Sequence, residues 1–168
     1  MDDRKTIKDF ETVALDEERD AVVIIDQTLL PGRTELISLK TAQEIWDAIY
    51  LLKVRGAPAI GVTAALGIYL LTNRIQEEDF ERFYQKFREY KEYLDSSRPT
   101  AVNLSWALRR MENICLQAGG AEKKSVEEVK EILRREALLI REEDVEVCRK
   151  IGEYGLTLVK PGDGILTH

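Results

Sequence analysis

The sequence predicts an α+β fold, a mainly helical domain led in by a small antiparallel β unit and followed by the opening strand of a second domain. Three observations carry that reading. Over residues 1–40 the apolar residues gather in short β-branched runs, from Lys40 onward they recur at a period of 3.6, and at the C-terminus the turn signal "PGDG" leads into the apolar "ILTH". The boundaries that follow are 1–40 for the β lead-in, 41–158 for the helical domain and 159–168 for the first strand of the next unit.

The runs "TVAL", "AVVIID" and "TELISL" are separated by "DEERD" and "LLPGR", which suits three strands joined by turns. Pro31 and Gly32 fit the two central positions of a type II turn. Thr41 with Glu44 three residues later forms a capping box, after which Ile45, Ala48, Ile49 and Leu52 share one helix face that should end near Val54. Trp46 and Tyr50 line the edge of that face.

Pro58 suits the first residue of the next helix, where its missing N–H costs nothing. "APAIGVTAALGIYLL" runs for about fifteen residues, short of the ~20 a bilayer span needs, and its small residues Gly61, Ala64, Ala65 and Gly67 allow close approach of another backbone. An aromatic-striped helix over 79–94 turns Phe80, Phe83, Phe87 and Leu94 inward. Asn103 is placed to cap a helix carrying Leu104, Ala107, Leu108, Met111 and Cys115, with Gly119 and Gly120 stopping it. Ser125 and Glu128 form a second capping box, opening a long helix with Val129, Ile132, Leu133, Ala137, Ile140, Val147 and Ile151 in phase.

Composition narrows the function classes. With 44% apolar and 33% charged residues the chain is a globular type, and a formal net charge of −6 argues against a nucleic-acid or anionic-membrane surface. The start "MDDRKTIKDF" lacks a signal layout, so the expected location is cytoplasmic. Cys115 and Cys148 are each placed where a helix could bury them, no metal-ligand spacing surrounds either, and no cofactor motif occurs.

One segment calls for chemistry. In "VRGAPAIG", residues 54–61, Arg55 and the backbone of Gly56 and Ala57 stand at the start of an apolar helix, where unsatisfied N–H groups and the helix dipole favour an anion. Arg98 repeats the pattern, held out of the helical region by Pro99 ahead of another helix. On physics alone an ordinary turn with an exposed or carboxylate-paired arginine is the commoner arrangement and accounts for both segments. No Ser–His–Asp set and no acid pair accompanies the arginines, and His168 is the only histidine.

The segments "IDQTLLPG" at 25–32, "VRGAPAIG" at 54–61, "SRPTAVNLSWAL" at 97–108 and "DGILTH" at 163–168 resemble the methylthioribose-1-phosphate isomerase family, relatives of the regulatory subunits of translation initiation factor 2B and of ribose-1,5-bisphosphate isomerase. The resemblance implies a helical N-terminal domain, a Rossmann-like α/β C-terminal domain and a homodimer when complete. It also implies cofactor-free conversion of 5-methylthioribose 1-phosphate to the ketose in methionine salvage. By the same resemblance Arg55, Gly56, Ala57 and Arg98 hold the sugar phosphate. The family's catalytic cysteine and aspartate are expected beyond His168, so this chain is expected to carry no catalytic residue and to be inactive alone. The other expectation is a non-catalytic, sugar-phosphate-sensing assembly module like the factor 2B subunits.

Overall fold

The computed structural model describes residues 11–166, so the "MDDRKTIKDF" start and His168 lie outside the described residues. Three strands, β1 (Val13–Asp16), β2 (Ala21–Ile25) and β3 (Leu36–Leu39), form an antiparallel sheet in the order β1-β2-β3, with Val13 opposite Ile24 and Val22 opposite Leu39. Five helices follow: α1 (Ala42–Tyr50), α2 (Ala57–Asn73), α3 (Phe80–Asp95), α4 (Val102–Cys115) and α5 (Val126–Leu156).

Helix α2 is the axis of the molecule. Every residue from Ile60 to Thr72 is buried, so the helix is apolar on all sides and must be enclosed on all sides. The sheet, α1, α3, α4 and α5 all pack against it. The two threonines in its buried stretch, Thr63 and Thr72, donate back to the carbonyls of Ala59 and Ile68 at 2.8 and 2.7 Å, so neither hydroxyl enters the core unpaired. Gly67 faces Ile45 of α1, where an added Cβ would lie 3.0 Å from the Ile45 side chain.

Both capping boxes form: Glu44 accepts from the Thr41 N–H at 2.9 Å, and Glu128 from the Ser125 N–H at 2.9 Å. Several local expectations are corrected. Gly32 is not at positive φ, so the turn is not type II; a 3-10 turn at Gln27–Leu29 precedes it and the Leu30–Pro31 peptide is cis. Helix α1 ends at Tyr50 because Leu52 takes φ 58°, which leaves Leu52 exposed rather than on the buried face. Pro58 is the second residue of α2, after Ala57. The N-cap of α4 is Ala101, without a side-chain cap, and Asn103 lies inside the helix. Gly119 and Gly120 do not stop α4, which runs on through a π-helical turn at Leu116–Ala121. Gly119 instead admits the Phe80 ring, against which a Cβ would sit 2.0 Å away, and Phe80 itself is half-buried.

Helix α5 divides in two. Val126, Val129, Leu133, Ala137 and Ile140 are buried, whereas Val147, Ile151 and Cys148 are exposed, contrary to expectation. The phase is right, but among the described residues no element lies over that end of the helix. Residues 159–166 form a turn, with the Asp163 N–H donating to Lys160 at 3.0 Å, and no strand.

Candidate functional site

The Arg55 loop is fastened on both sides. Val54 is fully buried and its N–H donates to the Ala48 carbonyl at 3.2 Å, which ties the loop to α1. From the sheet side, the Gln27 N–H donates to Lys53 O at 2.8 Å and Gln27 Nε2 to Arg55 O at 3.4 Å. Gln27 is itself held in the 3-10 turn that Asp26 caps, the Asp26 carboxylate accepting from the N–H and hydroxyl of Thr28 at 3.0 and 2.6 Å.

Gly56 then takes φ 89° and ψ 129° as the N-cap of α2, a conformation that side chains other than glycine rarely adopt. Its lack of a side chain leaves the helix start uncapped. The N–H groups of Gly56, Ala57 and Ala59 find no acceptor among the described residues, and Pro58 has none to offer. A 17-residue helix therefore opens with its free donors and the positive end of its dipole at an exposed surface. Arg55, Gly56 and Ala57 are all exposed.

Arg98 lies at the other loop. Ser97 is buried and its hydroxyl donates to Leu94 O at 2.7 Å, while the Arg98 carbonyl accepts the Ala101 N–H at 2.9 Å, so a turn carries the chain from α3 into α4. The side chain is half-buried. Arg33, Arg74, Arg110, Arg134 and Arg141 each bind a carboxylate, but neither Arg55 nor Arg98 has one among the described residues. The carboxylate-paired alternative thus finds no support there.

The two helix starts adjoin through Gly61, the fifth residue of α2, and Asn103, the second of α4: a Cβ on Gly61 would sit 2.9 Å from the Asn103 carbonyl oxygen. Beside this contact an open cleft of about 240 Å³ is lined by Pro58, Gly61, Asn103, Trp106, Ile140 and Val147, among others. Sequence reasoning missed Gln27, whose contact spans 28 residues, and the lining role of Trp106; both stand in segments that carry the family resemblance.

Other groups are poorly suited to chemistry. Cys115 is fully buried, and desolvation pushes its thiol up to about 12, so it holds its proton. No group of three or more His, Cys, Asp or Glu residues among the described residues could hold a metal ion. None of the described helices is long and apolar enough to cross a membrane.

Comparison with known proteins identifies the family and the fold. The pattern of the initiation factor 2 subunit family matches residues 53–168. The chain is 54% identical over 161 residues to a methylthioribose-1-phosphate isomerase of Symbiobacterium thermophilum, covering 96% of this chain and 44% of the relative. It is 52% identical to a 5-deoxyribose 1-phosphate isomerase of Clostridium botulinum, covering 91% of this chain and 43% of the relative. Among solved structures, the 5-methylthioribose 1-phosphate isomerase of Pyrococcus horikoshii superposes with a TM-score of 0.84 at 33% identity, covering 95% of this chain and 44% of that one. The delta subunit of translation initiation factor eIF-2B from A. fulgidus superposes at 0.80 with 40% identity, covering 92% of this chain and 43% of that one. The chain spans somewhat under half the length of these relatives.

Proposed function

Because this chain belongs to the initiation factor 2 subunit family, we propose that it forms the N-terminal part of an aldose–ketose isomerase converting 5-methylthioribose 1-phosphate to 5-methylthioribulose 1-phosphate. Residues 159–168 would open a Rossmann-like second domain, and the complete protein would work as a cytoplasmic homodimer in methionine salvage. The observation that carries the reading is the uncapped start of α2, where Gly56 at φ 89° leaves free N–H groups beside an exposed Arg55 that has no acidic partner among the described residues.

The roles follow from the substrate. A phosphate ester on the anomeric carbon blocks spontaneous ring opening, so the site must hold the ester while the ring opens and hydrogen moves between C1 and C2. The N–H groups of Gly56 and Ala57 face the phosphate at the helix start, and Arg55 and Arg98 add charge-assisted hydrogen bonds of roughly 1.5–3 kcal/mol each. These groups position; they do not transfer protons. Proton transfer between the two carbons is assigned to groups of the complete protein outside the described residues.

The likeness to the eIF-2B delta subunit favours a second reading, in which the same pocket senses a sugar phosphate within an assembly. Incubating the complete protein with 5-methylthioribose 1-phosphate and following ketose formation separates the two. Turnover supports the isomerase; binding of the sugar phosphate without turnover supports the sensing module.

A further inference from the structure

We propose that Gln27 is a positioning residue for the phosphate: its side-chain amide fixes the orientation of the Arg55–Gly56 peptide, and with it the aim of the Gly56 N–H at the start of α2. The inference rests on the isomerase reading, which takes that helix start as the phosphate site.

The carbonyl and the N–H of one trans peptide unit point in opposite directions. Gln27 Nε2 donates to the Arg55 carbonyl at 3.4 Å, so the Gly56 N–H on the other side of the same unit is turned away from Gln27, where it meets no acceptor among the described residues. Gly56 does not hold that orientation by itself. It stands at φ 89°, and a half-turn of the peptide unit would take it to about −90°, which glycine adopts as readily. The half-turn would replace the exposed N–H by a carbonyl oxygen, an acceptor that repels an anion. Glycine permits the conformation that binds, and Gln27 selects it.

The sheet makes Gln27 rigid enough for that task. Ile25 ends β2 opposite Leu36, the Asp26 N–H carries the pairing one residue further by donating to Glu35 O at 2.9 Å, and the buried Asp26 caps the turn in which Gln27 lies. The Gln27 N–H then donates to Lys53 O at 2.8 Å, which pins its backbone to the loop just before Arg55. An anion on the Gly56 N–H polarises the peptide unit and strengthens the bond that the Arg55 carbonyl accepts, as along any chain of hydrogen bonds. Gln27 therefore contributes more to the bound state than to the free one, and its loss falls on affinity rather than on stability.

The test is KM and kcat for 5-methylthioribose 1-phosphate, with melting temperatures, in the complete protein and its Gln27→Met and Arg55→Ala variants. Methionine keeps the length of the side chain but has no N–H to donate. Loss of the one hydrogen bond should raise KM about three- to tenfold with kcat and the melting temperature close to wild type, the pattern of a contact made equally in ground and transition states. A wild-type KM in Gln27→Met beside a raised KM in Arg55→Ala overturns the role of Gln27 and leaves the phosphate site standing. A lower melting temperature with KM unaltered also overturns it, and makes Gln27 a structural residue of the sheet edge. A wild-type KM in both variants, or no wild-type turnover, overturns the role and the reading it rests on.

Discussion

At the scale of single residues, two glycines in one motif do different work. Gly56 supplies a backbone angle, and Gly61 supplies absence of volume. Gly61→Ala should lower stability by about 1–3 kcal/mol, because the added methyl meets a backbone carbonyl that cannot turn aside. Arg55→Ala should leave the melting temperature nearly unchanged, since the side chain is exposed and has no acidic partner among the described residues. Thermal unfolding of the two variants checks the contrast. The helix start at Arg55, Gly56 and Ala57 was legible in the sequence, since a proline and a glycine ahead of an apolar run are local signals. The clamp from Gln27 was not, because it joins residues distant in sequence and depends on the way the sheet folds back.

At the scale of elements, periodicity and capping identified all five helices, yet it reports phase and not partners. Val147 and Ile151 keep the rhythm of the buried half of α5 and are nonetheless exposed. Cys148 and Cys115 make the difference measurable. Cys148 is exposed, whereas Cys115 is buried and its thiol keeps its proton to about 12. A thiol reagent at pH 8 should modify one cysteine of the native 168-residue chain, identified as Cys148, and both after denaturation. Rapid modification of Cys115 in the native chain would mean that the junction of α4 with its π-helical turn is not packed as described. That turn shows the limit of local signals: two adjacent glycines read as a stop, but the space they leave is filled by Phe80.

At the scale of the whole molecule, ion pairs connect parts that the sequence keeps far apart. Arg134 of α5 binds Glu17 of the β1-β2 turn at 2.6 Å, and Arg110 of α4 binds Glu143 of α5. The hydrogen bond from Arg134 holds the Glu17 carboxyl below its ordinary value of 4.5, and the bond from Arg110 does the same for Glu143. A carboxylate with a depressed folded-state pKa contributes stability above its unfolded value, and that stability is lost as pH falls through the folded value. The melting temperature should therefore decline below about pH 4.5. Glu17→Gln should lower it at pH 7 and flatten the decline, and a variant that matches the wild type at both pH 7 and pH 3 would show that the pair contributes nothing.

The proposed isomerase places the phosphate of its substrate at the starts of α2 and α4. The most direct test of that placement is Arg98→Ala in the complete protein, with KM for 5-methylthioribose 1-phosphate and the melting temperature measured on the same preparation. Loss of a charge-assisted contact worth roughly 1.5–3 kcal/mol predicts a KM raised about ten- to a hundredfold, with the melting temperature nearly unchanged. A wild-type KM, or a large fall in melting temperature with KM unaltered, would contradict the claim and make Arg98 a structural residue of the α3-to-α4 turn.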